Sequence, residues 1–198
     1  MIALIDYGAG NLTSVKKALA AVGADVRVPH TPDDLADAQG VIVPGVGHFG
    51  ATGKLAGAWT DAILARVGEG RPLLGICLGM QWLFESSDEA PDVAGLGLLS
   101  GRCYKLAADT VKIPHVGWND LRIERPAPIL DEVGPASQVY FTHSYVAPLT
   151  SETVATTTHG STFAAVVQRG HIAGVQFHPE KSGEVGLQVL GNFLAMVG

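Results

Sequence analysis

At 198 residues, 47% hydrophobic and only 16% charged, the chain is long enough for one domain with a sizeable core and suits a fold with much buried sheet. A net charge of −6 leaves no basic footprint for nucleic acid, and no apolar run approaches the length of a membrane span. Two cysteines, Cys77 and Cys103, cannot build a disulfide scaffold, which points to a reducing, cytoplasmic setting without membrane attachment.

Met1-Ile2-Ala3-Leu4-Ile5-Asp6 has no basic region and reads as a first strand, over 2–6, instead of a signal peptide. Asn11 is a plausible helix cap. Leu12, Val15, Leu19 and Val22 then recur at helical spacing, and Gly23 is a stop. Residues 24–28 form a second strand, and Thr31-Pro32 opens a short helix. Residues 41–43 are a third strand ending at Pro44-Gly45-Val46-Gly47. A helix is expected over 51–68 and a fourth strand over 73–76. Apolar strands alternating with helices predict parallel strands buried on both faces. From 86 to 137 the character changes: glycines, prolines and short β-like runs at 102–106, 111–113 and 121–123 predict an antiparallel or irregular excursion. Tyr140-Phe141 begins another strand. Residues 162–168 and 171–177 form a hairpin around Gly170, and 183–197 is a last helix. No linker or repeat divides the chain, so residues 1–198 are expected to be a single domain.

Two motifs carry chemistry. Gly75-Ile76-Cys77-Leu78-Gly79-Met80-Gln81 places a cysteine on a tight turn between a strand and a helix, with a glycine two residues away on each side. That is the layout of a nucleophile elbow with sulfur in place of oxygen. The glycines are expected to allow strained backbone and keep side chains clear of the sulfur. Gln176-Phe177-His178-Pro179-Glu180-Lys181 follows another apolar run. His178 and Glu180, two apart in extended backbone, face the same way. An imidazole can deprotonate a thiol and later protonate a leaving amine, and a carboxylate can hold the ring in one tautomer. Both motifs lie at carboxyl ends of strands, where open α/β sheets place their sites. A lone cysteine in an apolar segment is ordinarily a core residue, and His-Pro-Glu alone could be a charged turn. Together Cys77, His178 and Glu180 predict a Cys-His-Glu triad. Backbone N–H groups of Val46 and Gly47, with that of Leu78, could form an oxyanion hole. Gly8-Ala9-Gly10-Asn11 lacks the third glycine of a dinucleotide fingerprint, so no nucleotide cofactor is expected. The histidines show no metal-ligand spacing, and Cys103 has no motif around it.

On these two motifs the chain resembles the class I, triad-type glutamine amidotransferases. Asp6-Tyr7-Gly8-Ala9-Gly10-Asn11, Pro44-Gly45-Val46-Gly47-His48-Phe49, Pro114-His115-Val116-Gly117-Trp118-Asn119 and His143-Ser144-Tyr145 are similar to the branch that serves histidine biosynthesis. The resemblance implies a flavodoxin-like, mostly parallel central sheet flanked by helices, with an antiparallel excursion in the middle. It implies a glutaminase that splits L-glutamine into glutamate and ammonia without a cofactor. The ammonia would pass to a cyclase subunit of (β/α)8-barrel type, in a heterodimer making imidazole glycerol phosphate and an aminoimidazole carboxamide ribotide. It further implies that Gln81 and Glu85 hold the glutamine head group, with the Gly47 backbone and His143, Ser144 and Tyr145. Asn11, Trp118, Tyr140 and Lys181 match positions that face the partner, and low activity is expected until the cyclase binds. Three other readings remain: a glutaminase subunit of a different synthase, a thiol peptidase or esterase on the same elbow, and a non-catalytic module.

Overall fold

The computed structural model describes residues 1–107 and 111–198. The first half of the chain forms β1 (Ile2–Leu4), α1 (Leu12–Ala21), β2 (Val26–Arg27), β3 (Gly40–Val43), α2 (Ala58–Gly68), β4 (Leu73–Ile76) and α3 (Leu78–Trp82). Asn11 caps α1 by accepting the Ser14 N–H at 3.2 Å, and Gly23 takes φ +81° just beyond the helix end. The helix expected over 51–68 is two pieces. A 3-10 segment, Phe49–Leu55, gives way to α2 where Gly57 adopts φ +72°.

The second half forms β5 (Ser86–Ser87), β6 (Arg102–Lys105), β7 (His115–Asp120), β8 (Arg122–Ile123), β9 (Gln138–His143), β10 (Tyr145–Val146), β11 (Thr153–His159), β12 (Ser161–Arg169), β13 (Ile172–Val175) and α4 (Gly183–Val197). The expected runs at 102–106 and 121–123 become β6 and β8, while 111–113 forms no strand.

The main sheet runs β2-β1-β3-β4-β13-β12-β11-β8. Its pairings are parallel from β2 through β13 and antiparallel from there to β8. Separate small sheets pair β7 with β9, and β6 with β10 on one side and β5 on the other. Successive strand residues face opposite layers. Ile2, Leu4 and Ile42 pack with Val15 and Leu19 of α1 and Leu190 and Phe193 of α4. Ala3, Val41 and Val43 pack with Ile63 and Val67 of α2 and Met80 of α3. Burial on both faces explains why Val41-Ile42-Val43 and Leu73-Leu74 show no polar alternation.

β4 and β13 are neighbouring parallel strands, with Ile76 opposite Val175. The chain therefore leaves the sheet at one edge twice, side by side, at Cys77 and at Gln176–His178.

Candidate active site

Cys77 is the turn itself. Its backbone adopts φ 53°, ψ −107°, a conformation rarely taken by an L-residue, and its N–H donates to the Val175 carbonyl at 2.7 Å. The flanking glycines serve packing. Neither takes a positive φ; a Cβ on Gly79 would lie 1.7 Å from the Val43 carbonyl oxygen, and one on Gly75 would lie 2.6 Å from the Gly79 carbonyl oxygen. They let α3 settle directly on β3 and β4, and the strained residue is the cysteine between them.

His178 and Glu180 come from the turn after β13. His178 Nδ1 lies 2.8 Å from Glu180 Oε1, with the two side chains only 2% and 3% exposed. The His178 N–H donates to the Tyr140 carbonyl at 2.9 Å. Ser182 Oγ donates to the His178 carbonyl at 2.7 Å and accepts the Tyr140 N–H at 2.9 Å, so the turn is riveted to β9. The outer ring nitrogen, Nε2, has no geometrically formed hydrogen bond among the described residues. Its influential neighbour is the Cys77 sulfur. Burial pushes the imidazole pKa down, but the nearby Cys77 sulfur and the hydrogen bond and charge of Glu180 outweigh it and raise the pKa to about 10. Sulfur, imidazole and carboxylate thus converge at one mouth of the sheet.

Cys77 forms part of the wall of a cavity of about 330 Å³ that also takes in Val46, Gly47, Leu78, Gln81, Glu89 and the His143-Ser144-Tyr145 segment. His178 is not part of the cavity lining. A larger hollow of about 670 Å³ lies far from this chemistry, between α4 and the 126–133 loop, and its wall includes neither Cys77 nor His178. The smaller cavity is the one with a nucleophile and convergent polar groups.

Most of the residues expected to hold a substrate line this cavity. Gln81 does so with its side-chain nitrogen already engaged, donating to the Tyr145 carbonyl at 2.8 Å and to Gln176 Oε1 at 3.1 Å. Its own oxygen is left for a ligand. Glu85 does not line the cavity: it is exposed, and its carboxylate accepts the Gly101 N–H at 2.9 Å. α3 ends at Trp82, so Glu85 lies beyond the helix that carries Gln81. The carboxylate that reaches the cavity is Glu89, which sequence reasoning missed; its Oε2 accepts the Phe49 N–H at 2.7 Å.

Of the expected oxyanion donors, one is engaged in this conformation. The Leu78 N–H donates to the Gly45 carbonyl at 3.3 Å. Of the residues expected to face a partner, Asn11 is exposed and caps α1, while Trp118, Tyr140 and Lys181 form one surface cluster. Trp118 is 54% exposed with its ring edge-on to Tyr140 at 6.1 Å, and Lys181 Nζ lies 5.6 Å above the Tyr140 ring. No group of three acidic, histidine or cysteine side chains suited to a metal occurs among the described residues, nor does a helix long and apolar enough to cross a membrane.

The family model described as glutamine amidotransferase class-I matches residues 3–197. The chain is 48% identical over 200 residues to the imidazole glycerol phosphate synthase subunit HisH of Moorella thermoacetica, covering 99% of this chain and 95% of that protein. It is 46% identical over 200 residues to the protein of the same name from Bacillus cereus, covering 100% and 95%. The structure of PurLQS from Thermotoga maritima matches with a TM-score of 0.78 over 100% of this chain and 98% of that one, at 21% identity, a likeness of fold.

Proposed function

Because this chain belongs to the class-I glutamine amidotransferase family, we propose that Cys77, His178 and Glu180 perform its glutamine hydrolysis. The chain is the glutaminase subunit of imidazole glycerol phosphate synthase, an enzyme of histidine biosynthesis, and it supplies ammonia to a cyclase subunit. Residues 1–198 act as one amidotransferase domain, working in the cytoplasm with both cysteines reduced.

The Cys77 sulfur, its proton already passed to His178 Nε2, attacks the side-chain amide carbon of glutamine. The C–N bond then breaks, and the same nitrogen returns the proton to the departing amine, releasing ammonia and leaving a glutamyl thioester. Water attacks the thioester, His178 accepts its proton, and glutamate leaves as the sulfur is reprotonated. Glu180, accepting at Nδ1, holds the ring so that Nε2 faces the sulfur and stabilises the imidazolium. The amino-acid head group lies in the cavity, where Glu89 offers a carboxylate to an ammonium and Gln81 and the 143–145 segment offer polar groups. Trp118, Tyr140, Lys181 and Asn11 face the (β/α)8 cyclase.

The observation that carries this reading is the buried His178–Glu180 pair set beside a cysteine on a strained elbow. The test uses the assembled synthase. Cys77→Ala is expected to abolish synthesis driven by glutamine and to spare synthesis driven by added ammonium salt. Retention of glutamine-driven synthesis in that variant would overturn the assignment.

A further inference from the structure

Gln176 has no part in the chemistry described above, yet its side chain is wholly buried and held at both ends. Its Nε2 lies 3.6 Å from the Cys77 sulfur as a donor, and its Oε1 accepts from Gln81 Nε2 at 3.1 Å. The direction of this amide is fixed by chemistry further along. Tyr145 offers Gln81 only a carbonyl oxygen, 2.8 Å away, so Gln81 must turn its nitrogen toward it. That same nitrogen faces Gln176, which must answer with its oxygen. The Gln176 nitrogen is left for the sulfur.

A second chain braces the anchor. His143 Nδ1 lies 3.1 Å from the same Tyr145 oxygen, and since a carbonyl only accepts, Nδ1 carries the proton. His143 Nε2 must then accept from His115 Nδ1 at 3.1 Å, and His115 Nε2 from Asn119 Nδ2 at 3.2 Å. Burial, aided by the neighbouring histidines, lowers the His115 pKa to about 4 and that of His143 to about 3. Both rings are therefore neutral near pH 7, and the anchor keeps its tautomers.

We propose that the Gln176 amide is a hydrogen-bond donor to the Cys77 nucleophile, oriented by Gln81 and the Tyr145 carbonyl, and that it aims the sulfur and favours its anionic form. A donor cannot receive the thiol proton, so it favours the state in which that proton has left. The Thr142 carbonyl, 4.0 Å from the sulfur, has the opposite preference. The two groups bracket the sulfur, and the amide tips the balance toward transfer to His178. Gln81 acts through Gln176 as a positioning residue.

This deepens the glutaminase reading and rests on it. Gln176→Met keeps length and volume and removes the donor. In the assembled synthase, glutamine-driven kcat is expected to fall roughly tenfold, with KM within about twofold of wild type and ammonia-driven synthesis unchanged. The deciding readout is alkylation of Cys77 by iodoacetamide, followed by mass on its own peptide. The variant is expected to react about five- to tenfold more slowly at pH 7. Equal alkylation rates overturn the proposal. Should Gln176→Met fail to fold, wild-type protein decides: the Gln176 side-chain amide resonances, assigned through its backbone, must shift when Cys77 is alkylated, and resonances that stay in place overturn it. Persistent glutamine hydrolysis in Cys77→Ala would instead overturn the nucleophile assignment, so the two failures are distinguishable.

Discussion

The Leu78 backbone N–H donates to the Gly45 carbonyl oxygen at 3.3 Å, which occupies the donor best placed to meet a developing oxyanion above Cys77. Rotating the Gly45–Val46 peptide would free that donor and bring the Val46 N–H inward in one movement. Gly47, at φ +95° with no heavy atom within 4 Å of a would-be Cβ, gives the segment room to turn. The cost is about one hydrogen bond, roughly 1 kcal/mol, plus local strain, so a partner can shift the balance by differential binding. The isolated chain is expected to release glutamate from glutamine at least about a hundredfold more slowly than the cyclase complex with its nucleotide bound, an effect of roughly 3 kcal/mol. Equal turnover in the two states would exclude a gate at this peptide.

The His178–Glu180 pair predicts a pH dependence of stability with a definite sign. The imidazole pKa is about 10 in the fold, through Cys77 and Glu180 against the pull of burial, and about 6.5 in an unfolded chain. The folded state therefore holds the proton more tightly. This contribution is whole below about pH 6.5 and is lost as pH rises toward 10, with a total on the order of a few kcal/mol. Urea unfolding at a series of pH values is expected to show stability falling across that window in wild type and falling less in Glu180→Gln. Parallel curves for the two proteins would rule the pair out as the cause. The same variant is expected to lose between roughly 10²- and 10⁴-fold in kcat, because its ring is no longer held by a carboxylate.

Two carboxylates are candidates to meet the ammonium of a bound glutamine, and geometry separates them. Glu89 reaches the cavity, while Glu85 is turned away to the Gly101 N–H. Glu89→Gln is expected to raise KM for glutamine about ten- to a hundredfold. Glu85→Gln is expected to leave KM within about twofold and to cost no more than roughly 1 kcal/mol of stability. Steady-state kinetics of the complex decide between them, and the reverse pattern would restore Glu85.

That pair also shows what the sequence could and could not disclose. The positions of Cys77, His178 and Glu180 were readable because they follow continuously apolar strands, and β1, β3 and β4 were readable for the same reason. Glu89 was not, because α3 stops at Trp82 and the return of residues 86–89 to the cavity is set by tertiary bonds such as Asp88 N–H to the Cys103 carbonyl at 2.9 Å. β7 escaped for a related reason. His115-Val116-Gly117-Trp118-Asn119-Asp120 has weak strand propensity and becomes a strand by pairing with β9, about twenty residues further on. The glycines of the elbow were placed correctly but for another reason: contact with Val43 and the α3 backbone, not backbone strain, demands them.

Tyr7 offers a test of the site's packing. Its hydroxyl is buried with no hydrogen-bond partner among the described residues, and burial, with the nearby Cys77 charge, pushes its pKa upward. A Cβ on Gly45 would lie 2.1 Å from that oxygen, so the phenol fills the space beside the Gly45–Val46 peptide. Removing an unsatisfied buried hydroxyl forfeits no bond. Tyr7→Phe is expected to hold stability or gain up to about 1 kcal/mol, a rise of roughly 2–4 °C in Tm. A loss of more than about 1 kcal/mol would mean that the hydroxyl has a partner in solution.

Trp118 should separate partner binding from folding. A core tryptophan would be buried, but this one is 54% exposed beside Val116 at 57%, on the ribbon of β7 and β9. Large apolar side chains grouped in the open mark an interaction surface, and tryptophan is a frequent anchor in such surfaces. The patch is also wired to the chemistry, since Tyr140, edge-on to Trp118, accepts the His178 N–H through its carbonyl. Trp118→Ala is expected to weaken cyclase binding about ten- to a hundredfold while shifting Tm of the isolated chain by no more than about 2 °C. Calorimetric titration with the cyclase and a thermal melt measure the two effects separately. A collapse in Tm with undiminished affinity would return Trp118 to the core and move the partner surface elsewhere.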